Sequence, residues 1–178
     1  MLIHVTKFEA ARRQLNVAIR LMFDGIDPVV VHTLVGAASV LLGDLAGHHH
    51  PSGRWETLAQ QANNLTEKAY FRVARYAQNF LKHADSDVDS VLEFDPIDTD
   101  ALAFGAVMNV QLFDLLTVEE SVLQLWYFAC HYPSGDEPDE LFSKAVGIFG
   151  DLREYDRDTR LRRAQDVMTR ELRERSPK

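Results

Sequence analysis

Arg75, Asn79 and His83 recur every four residues along the segment Arg72 to Asp85. On a helix they stack along one edge and offer a fixed cation, a carboxamide and a group that titrates near neutrality. Those are the components of an anion or phosphate site, or of general acid/base cleavage of a phosphodiester. At about 100° per residue Arg72, Gln78 and Lys82 share that face, while Val73, Tyr76, Ala77, Phe80, Leu81 and Ala84 take the other. Asp85 follows closely enough for its carboxylate to orient the His83 ring. The solvated face of any amphipathic helix has the same composition, so the residue types pose a question that their placement must answer.

A second candidate lies upstream. His32 shares a helical stripe with Gly36, Ser39 and Gly43, each within about 40° of it, and Leu34, Ala37, Leu41 and Leu45 lie opposite. Small residues on one stripe admit a close neighbour. His32 then either hydrogen-bonds across that crossing as an ordinary core histidine or is aimed into a shared site.

The run Gln78-Asn79-Phe80-Leu81-Lys82-His83 resembles the terminal-helix motif of the HEPN superfamily, all-α proteins common in toxin–antitoxin and phage-defence systems. That motif has an arginine, usually followed by a polar residue such as asparagine, and then a histidine after a short spacer. Asn79 and His83 match it, Gln78 stands at the arginine position, and Arg75 precedes His83 by seven intervening residues. In that family the arginine and histidine serve metal-independent RNA cleavage at a dimer interface. The resemblance therefore implies a homodimer, and with the arginine replaced it implies a non-catalytic binding or regulatory protein whose groove is lined by Arg75, Asn79 and His83, joined by His32. An RNase using His83 with Arg75 or Arg72 is the alternative, and a helical oligomer without a site is a third reading. Asp27-Pro28, Val31-His32-Thr33-Leu34 and the run Asn79 to Asp85 are also similar to a group of uncharacterised bacterial proteins, which implies no activity.

Other motifs carry less. His48-His49-His50 offers imidazoles in a row, but adjacent residues seldom close on one metal, and the pattern matches neither a zinc finger nor a His-Glu-x-x-His helix. Asp85, Asp87 and Asp89 alternate like the opening of an EF-hand loop, yet Ser90 and Pro96 stand where that loop requires glycine and a bidentate glutamate. Leu123 to Cys130, with Trp126, Tyr127 and Phe128, reads as core or subunit interface. Phosphate-cradling glycine loops, nucleophile elbows and dinucleotide fingerprints are missing, so neither cofactor nor metal is expected.

The elements that must position these residues are helical throughout. Thr6-Lys7-Phe8-Glu9 is a capping box that opens a helix to about Asp24, ended by Gly25. Asp27-Pro28 supplies an N-cap and a first-turn proline for a second helix to about Ala46, before a loop over Gly47 to Arg54. A helix from Trp55 with a break near Asn63-Asn64 leads into a long helix from Thr66 to Ala84. Asp85 to Pro96 reads as a loop, Asp98 or Thr99 caps a helix to about Leu115, and Thr117 opens another to His131. A loop over Pro133 to Pro138, a helical pattern from Asp139 to Tyr155 and a charged last helix capped by Asp158 complete the chain. The expectation is an all-α, single-domain bundle of about six to seven helices over residues 1–155, with a charged C-terminal helix or tail over 156–178.

Composition bounds the rest. The 178 residues are 46% hydrophobic and 26% charged, enough to bury one core without disulfides. One cysteine, Cys130, forms no internal bridge and fits the cytoplasm. The most apolar run, Val29 to Leu42, falls short of the roughly 20 residues of a membrane span, so no membrane is expected. A net charge of −8 does not favour nucleic acid. From Arg153 onward, however, nine Lys and Arg face six Asp and Glu, so that tail is net +3 and suits its own body, a sister subunit or another protein partner.

Overall fold

The structure, a computed structural model, describes residues 2–85, 87–132 and 140–175. These form nine α-helices and no strand, so the all-α expectation holds while the helix count is higher than expected. In chain order they are α1 (Lys7–Phe23), α2 (Pro28–His49), α3 (Trp55–Ala62), α4 (Glu67–Ala74), α5 (Tyr76–Lys82), α6 (Pro96–Val110), α7 (Val118–His131), α8 (Glu140–Phe149) and α9 (Arg157–Arg175).

Local chemistry sets most of these bounds. Thr6 and Glu9 form the reciprocal capping box of α1, and Thr117 with Glu120 forms that of α7, each satisfying amides that the first turn leaves free. Asp27 accepts from the Val29 amide and Pro28 opens α2. The same device recurs at α6, where the cap is Asp95 ahead of Pro96, so that helix begins before the expected Asp98 or Thr99. Asp156, two residues ahead of the expected Asp158, accepts from the Thr159 amide at the start of α9. α2 continues past Ala46 to His49, which puts His48 and His49 in its last turn rather than in a loop. The expected loop over Pro133 to Pro138 lies outside the described residues.

α1 packs along α2 as a hairpin, α2 along α6, and α7 against α6, α8 and α9. Leu15 and Ile19 of α1, Val31, Val35 and Leu42 of α2, Val107 and Val110 of α6, and Leu123 and Trp126 of α7 are all but sealed from water and form one continuous core. Each such side chain contributes roughly 1.5 to 3 kcal/mol by leaving water. By length and composition α2 could cross a membrane, because it runs 22 residues with a mean hydropathy of 1.8 over its apolar window. Here half of that window is buried inside the bundle.

Charged ties lace the helices together. Arg12 of α1 donates to Glu120, which is fully buried, and forms a 2.6 Å ion pair with Asp114. Arg20 pairs with Glu119. Arg157 at the head of α9 grips Asp100 of α6 through two hydrogen bonds, at 2.9 and 2.7 Å. Burial pushes the Asp100 carboxyl up and Arg157 pulls it back down. The charged last helix is an integral part of the bundle, because Leu161, Ala164, Val167 and Met168 of α9 are buried against α1 and α7.

Candidate functional site

The expected long helix over Thr66 to Ala84 is two helices. Arg75 sits between them with φ −107° and ψ 5°, outside the α-helical region, so α5 leaves in a new direction from α4. The break redistributes the polar stripe. Gln78, at the position of the missing arginine, is 3% exposed, whereas Asn79, Lys82, His83 and Asp85 face solvent. Arg75 lays its guanidinium 4.1 Å from the centre of the Phe71 ring. The structure thus does not gather Arg75, Asn79 and His83 around a groove. The reason is a competing contact: α5 drops onto the small-residue stripe of α2, where a methyl group on Gly36 would stand 2.9 Å from the Gln78 Cγ.

That stripe admits side chains from two helices. Gln78 of α5 covers Gly36, and the Glu56 carboxylate of α3 covers Gly43 so closely that a Cβ there would collide with it. Ser39, between the two glycines, is left facing a hollow, and so is His32 one turn before Gly36. The small-residue seam is therefore the floor of a cavity.

The cavity measures about 680 Å³ and lies between α2, α3, α4, α5, α6 and α7. Its floor is His32, Ser39 and Ala106, and its walls are Trp55, Ala59, Tyr70, Phe94, Leu102 and Tyr127. Exposed Leu65, Arg72, Val73, Tyr76, Glu93 and Asp98 form the mouth. α4 contributes Tyr70, Arg72, Val73 and Ala74 to this lining yet buries no residue of its own, so it roofs the hollow rather than packing into the core. This size and a mostly apolar lining with a few polar groups match a small-molecule site.

His32 is its most informative polar group. The ring is 2% exposed, its Nδ1 lies 3.0 Å from the Thr99 hydroxyl, and its edge meets the Phe94 ring at 5.1 Å. Its Nε2 is buried without a hydrogen-bond partner. An orphaned buried nitrogen costs about 1 to 3 kcal/mol, which makes it a place for a ligand's polar atom. Burial holds the imidazole below the ordinary histidine range, and the nearby Asp98 carboxylate opposes that shift.

The wall is rigidly tied. The Trp55 amide donates to Asn109 Oδ1 at 2.9 Å, and Asn109 Nδ2 donates to Glu56 at 3.1 Å. Arg54 donates to the same carboxylate at 3.1 Å, which fixes the start of α3 on α6. Trp55 stands edge-on to Phe104 at 5.2 Å, and Phe104 stacks on Tyr127 at 4.2 Å. Gly105 makes the indole's seat, since a Cβ there would lie 2.5 Å from the ring.

Of the sequence candidates, His32 and Arg72 line the cavity, and Arg75, Asn79, Lys82, His83 and Asp85 do not. Sequence reasoning missed Trp55, Tyr70 and Phe94. Their only signal was aromatic character, with Trp55 at an expected helix start, Tyr70 within the expected long helix and Phe94 in an expected loop. His48 meets His49 edge-on, His49 and His50 meet the Phe113 ring edge-on, and the described residues contain no cluster of three or more His, Cys, Asp or Glu able to hold a metal. The buried Cys130 thiol is pushed up to about 12 by desolvation, so it stays protonated and unreactive. No protein-family model, curated protein or solved structure matches this chain, so the site rests on its own geometry.

Proposed function

We propose that this protein is a non-catalytic binding or regulatory protein whose ligand, a small and largely apolar molecule, occupies the cavity under α4. The observation that carries this reading is the pairing of a hollow of about 680 Å³ with a buried His32 Nε2 that has no partner. Most buried polar side-chain atoms have a partner, and this orphaned nitrogen is the one at the floor of the hollow. The reading keeps the regulatory half of the HEPN-like expectation and moves the site from the exposed Asn79 and His83 to His32. RNA cleavage by His83 is not favoured, because Arg75 is committed to the Phe71 ring and His83 stands in solvent beyond the end of α5.

Isothermal titration with phenylbutanol, a neutral aryl alcohol, tests the reading. Binding is expected, and filling the hollow with Ala59→Trp, at a half-buried wall position, is expected to abolish it without lowering the melting temperature. Absence of binding by phenylbutanol and by its ammonium and carboxylate analogues alike, or undiminished binding by the folded Ala59→Trp variant, overturns it.

A further inference from the structure

The geometry points to a lipophilic monocation, an aryl- or alkylammonium compound, as the class of ligand that this cavity selects. The inference rests on the cavity being a binding site and adds the sign of the ligand's charge.

The lining joins π-faces with carboxylates. Trp55, Tyr70, Tyr76, Phe94 and Tyr127 surround the hollow, and aromatic faces attract a cation, tryptophan most strongly. Glu93 and Asp98 stand at the mouth, and neither enters an ion pair among the described residues. Their only opposing charge in the lining is Arg72, so the unpaired mouth is net negative. Other nearby cations are already engaged: Arg54 is paired with Glu56, and both Arg54 and Arg75 sit over Phe71, which is not part of the lining.

The floor adds no positive charge, because burial keeps His32 neutral. An anion entering here would meet one cation, Arg72, against two carboxylates, Glu93 and Asp98, and the negative faces of the rings. A neutral ligand would gain the apolar contact alone. A cation gains both ring and carboxylate attraction in a partly desolvated space.

The test uses three probes on one scaffold: phenylbutylammonium, phenylbutanol and phenylbutyrate, titrated calorimetrically into the full chain at neutral pH. The ammonium compound is expected to bind roughly tenfold tighter than the alcohol, and the carboxylate weaker than either. In the Glu93→Gln/Asp98→Asn double variant the ratio of ammonium to alcohol affinity is expected to shrink to roughly threefold or less, the residue being the ring contribution. If the alcohol binds and the ammonium compound binds no tighter, or the carboxylate binds best, the charge inference falls and the cavity reading stands. An unchanged ratio in the double variant also overturns it. If none of the three binds, the cavity reading itself falls and takes this inference with it.

Discussion

His32 divides its two ring nitrogens between structure and an open space. Thr99 takes Nδ1, and Phe94 closes over the ring edge, so the imidazole has one orientation and a free Nε2. Because burial depresses its affinity for protons, the folded chain binds fewer protons than the unfolded chain between the folded and unfolded pKa values. Stability is therefore full above the unfolded value of about 6.5 and falls as pH drops through that window. Urea denaturation between neutral and mildly acidic pH is expected to show a decline that is shallower in His32→Phe. Equal slopes in the two proteins would mean that the fold does not depress the proton affinity of His32.

The elements show where sequence patterns suffice and where they do not. Caps are written locally: Thr6 with Glu9, Asp27 with the Val29 amide, and Thr117 with Glu120 each close a hydrogen-bond loop within a few residues, and the openings at Thr6, Asp27 and Thr117 were legible. The break at Arg75 has no local author. No glycine or proline marks it, and the periodicity runs straight through. It arises because Gln78 finds Gly36 on a helix far away in sequence, and such a tertiary preference outweighs one turn of helical hydrogen bonding. The stripe at His32, Gly36, Ser39 and Gly43 was read as a place for close approach, and the contacts of Gln78 and Glu56 occupy it, yet nothing in the stripe specified a hollow between them.

Gly105 on α6 gives the same argument a quantity. Adding a methyl group there forces the Trp55 indole from its seat, costing about 1 to 3 kcal/mol of overpacking against a helix-propensity gain of about 1 kcal/mol. Chemical denaturation of Gly105→Ala is thus expected to show a net loss of up to about 2 kcal/mol. Gly147→Ala, on α8 with nothing within 4 Å of the added carbon, is expected to gain up to about 1 kcal/mol. A Gly105→Ala protein as stable as the native one would show that the wall of the cavity yields freely.

At the scale of the whole molecule, the basic stretch at the C-terminus is structural cladding. Charge counting separated residues 156–178 from the body, but α9 buries Leu161, Val167 and Met168 on α1 and α7 and neutralises Asp100 with Arg157. The burial of those apolar side chains is worth about 5 to 8 kcal/mol, comparable to the entire net stability of a small domain. A chain ending at Asp156 is therefore expected to lose its cooperative thermal transition. Retention of that transition with only a few degrees of change would restore the division drawn from charge.

The two tryptophans occupy opposite worlds. Trp126 is 1% exposed and donates its indole hydrogen to the Arg160 carbonyl at 2.9 Å, deep among residues that never meet a guest. Trp55 forms part of the hollow's wall beneath α4. The chain consequently carries two built-in lamps: emission from one tracks whether the bundle is folded, emission from the other whether its chamber is filled. Replacing Trp126 with phenylalanine leaves a single tryptophan, whose emission is expected to follow occupancy without any attached dye.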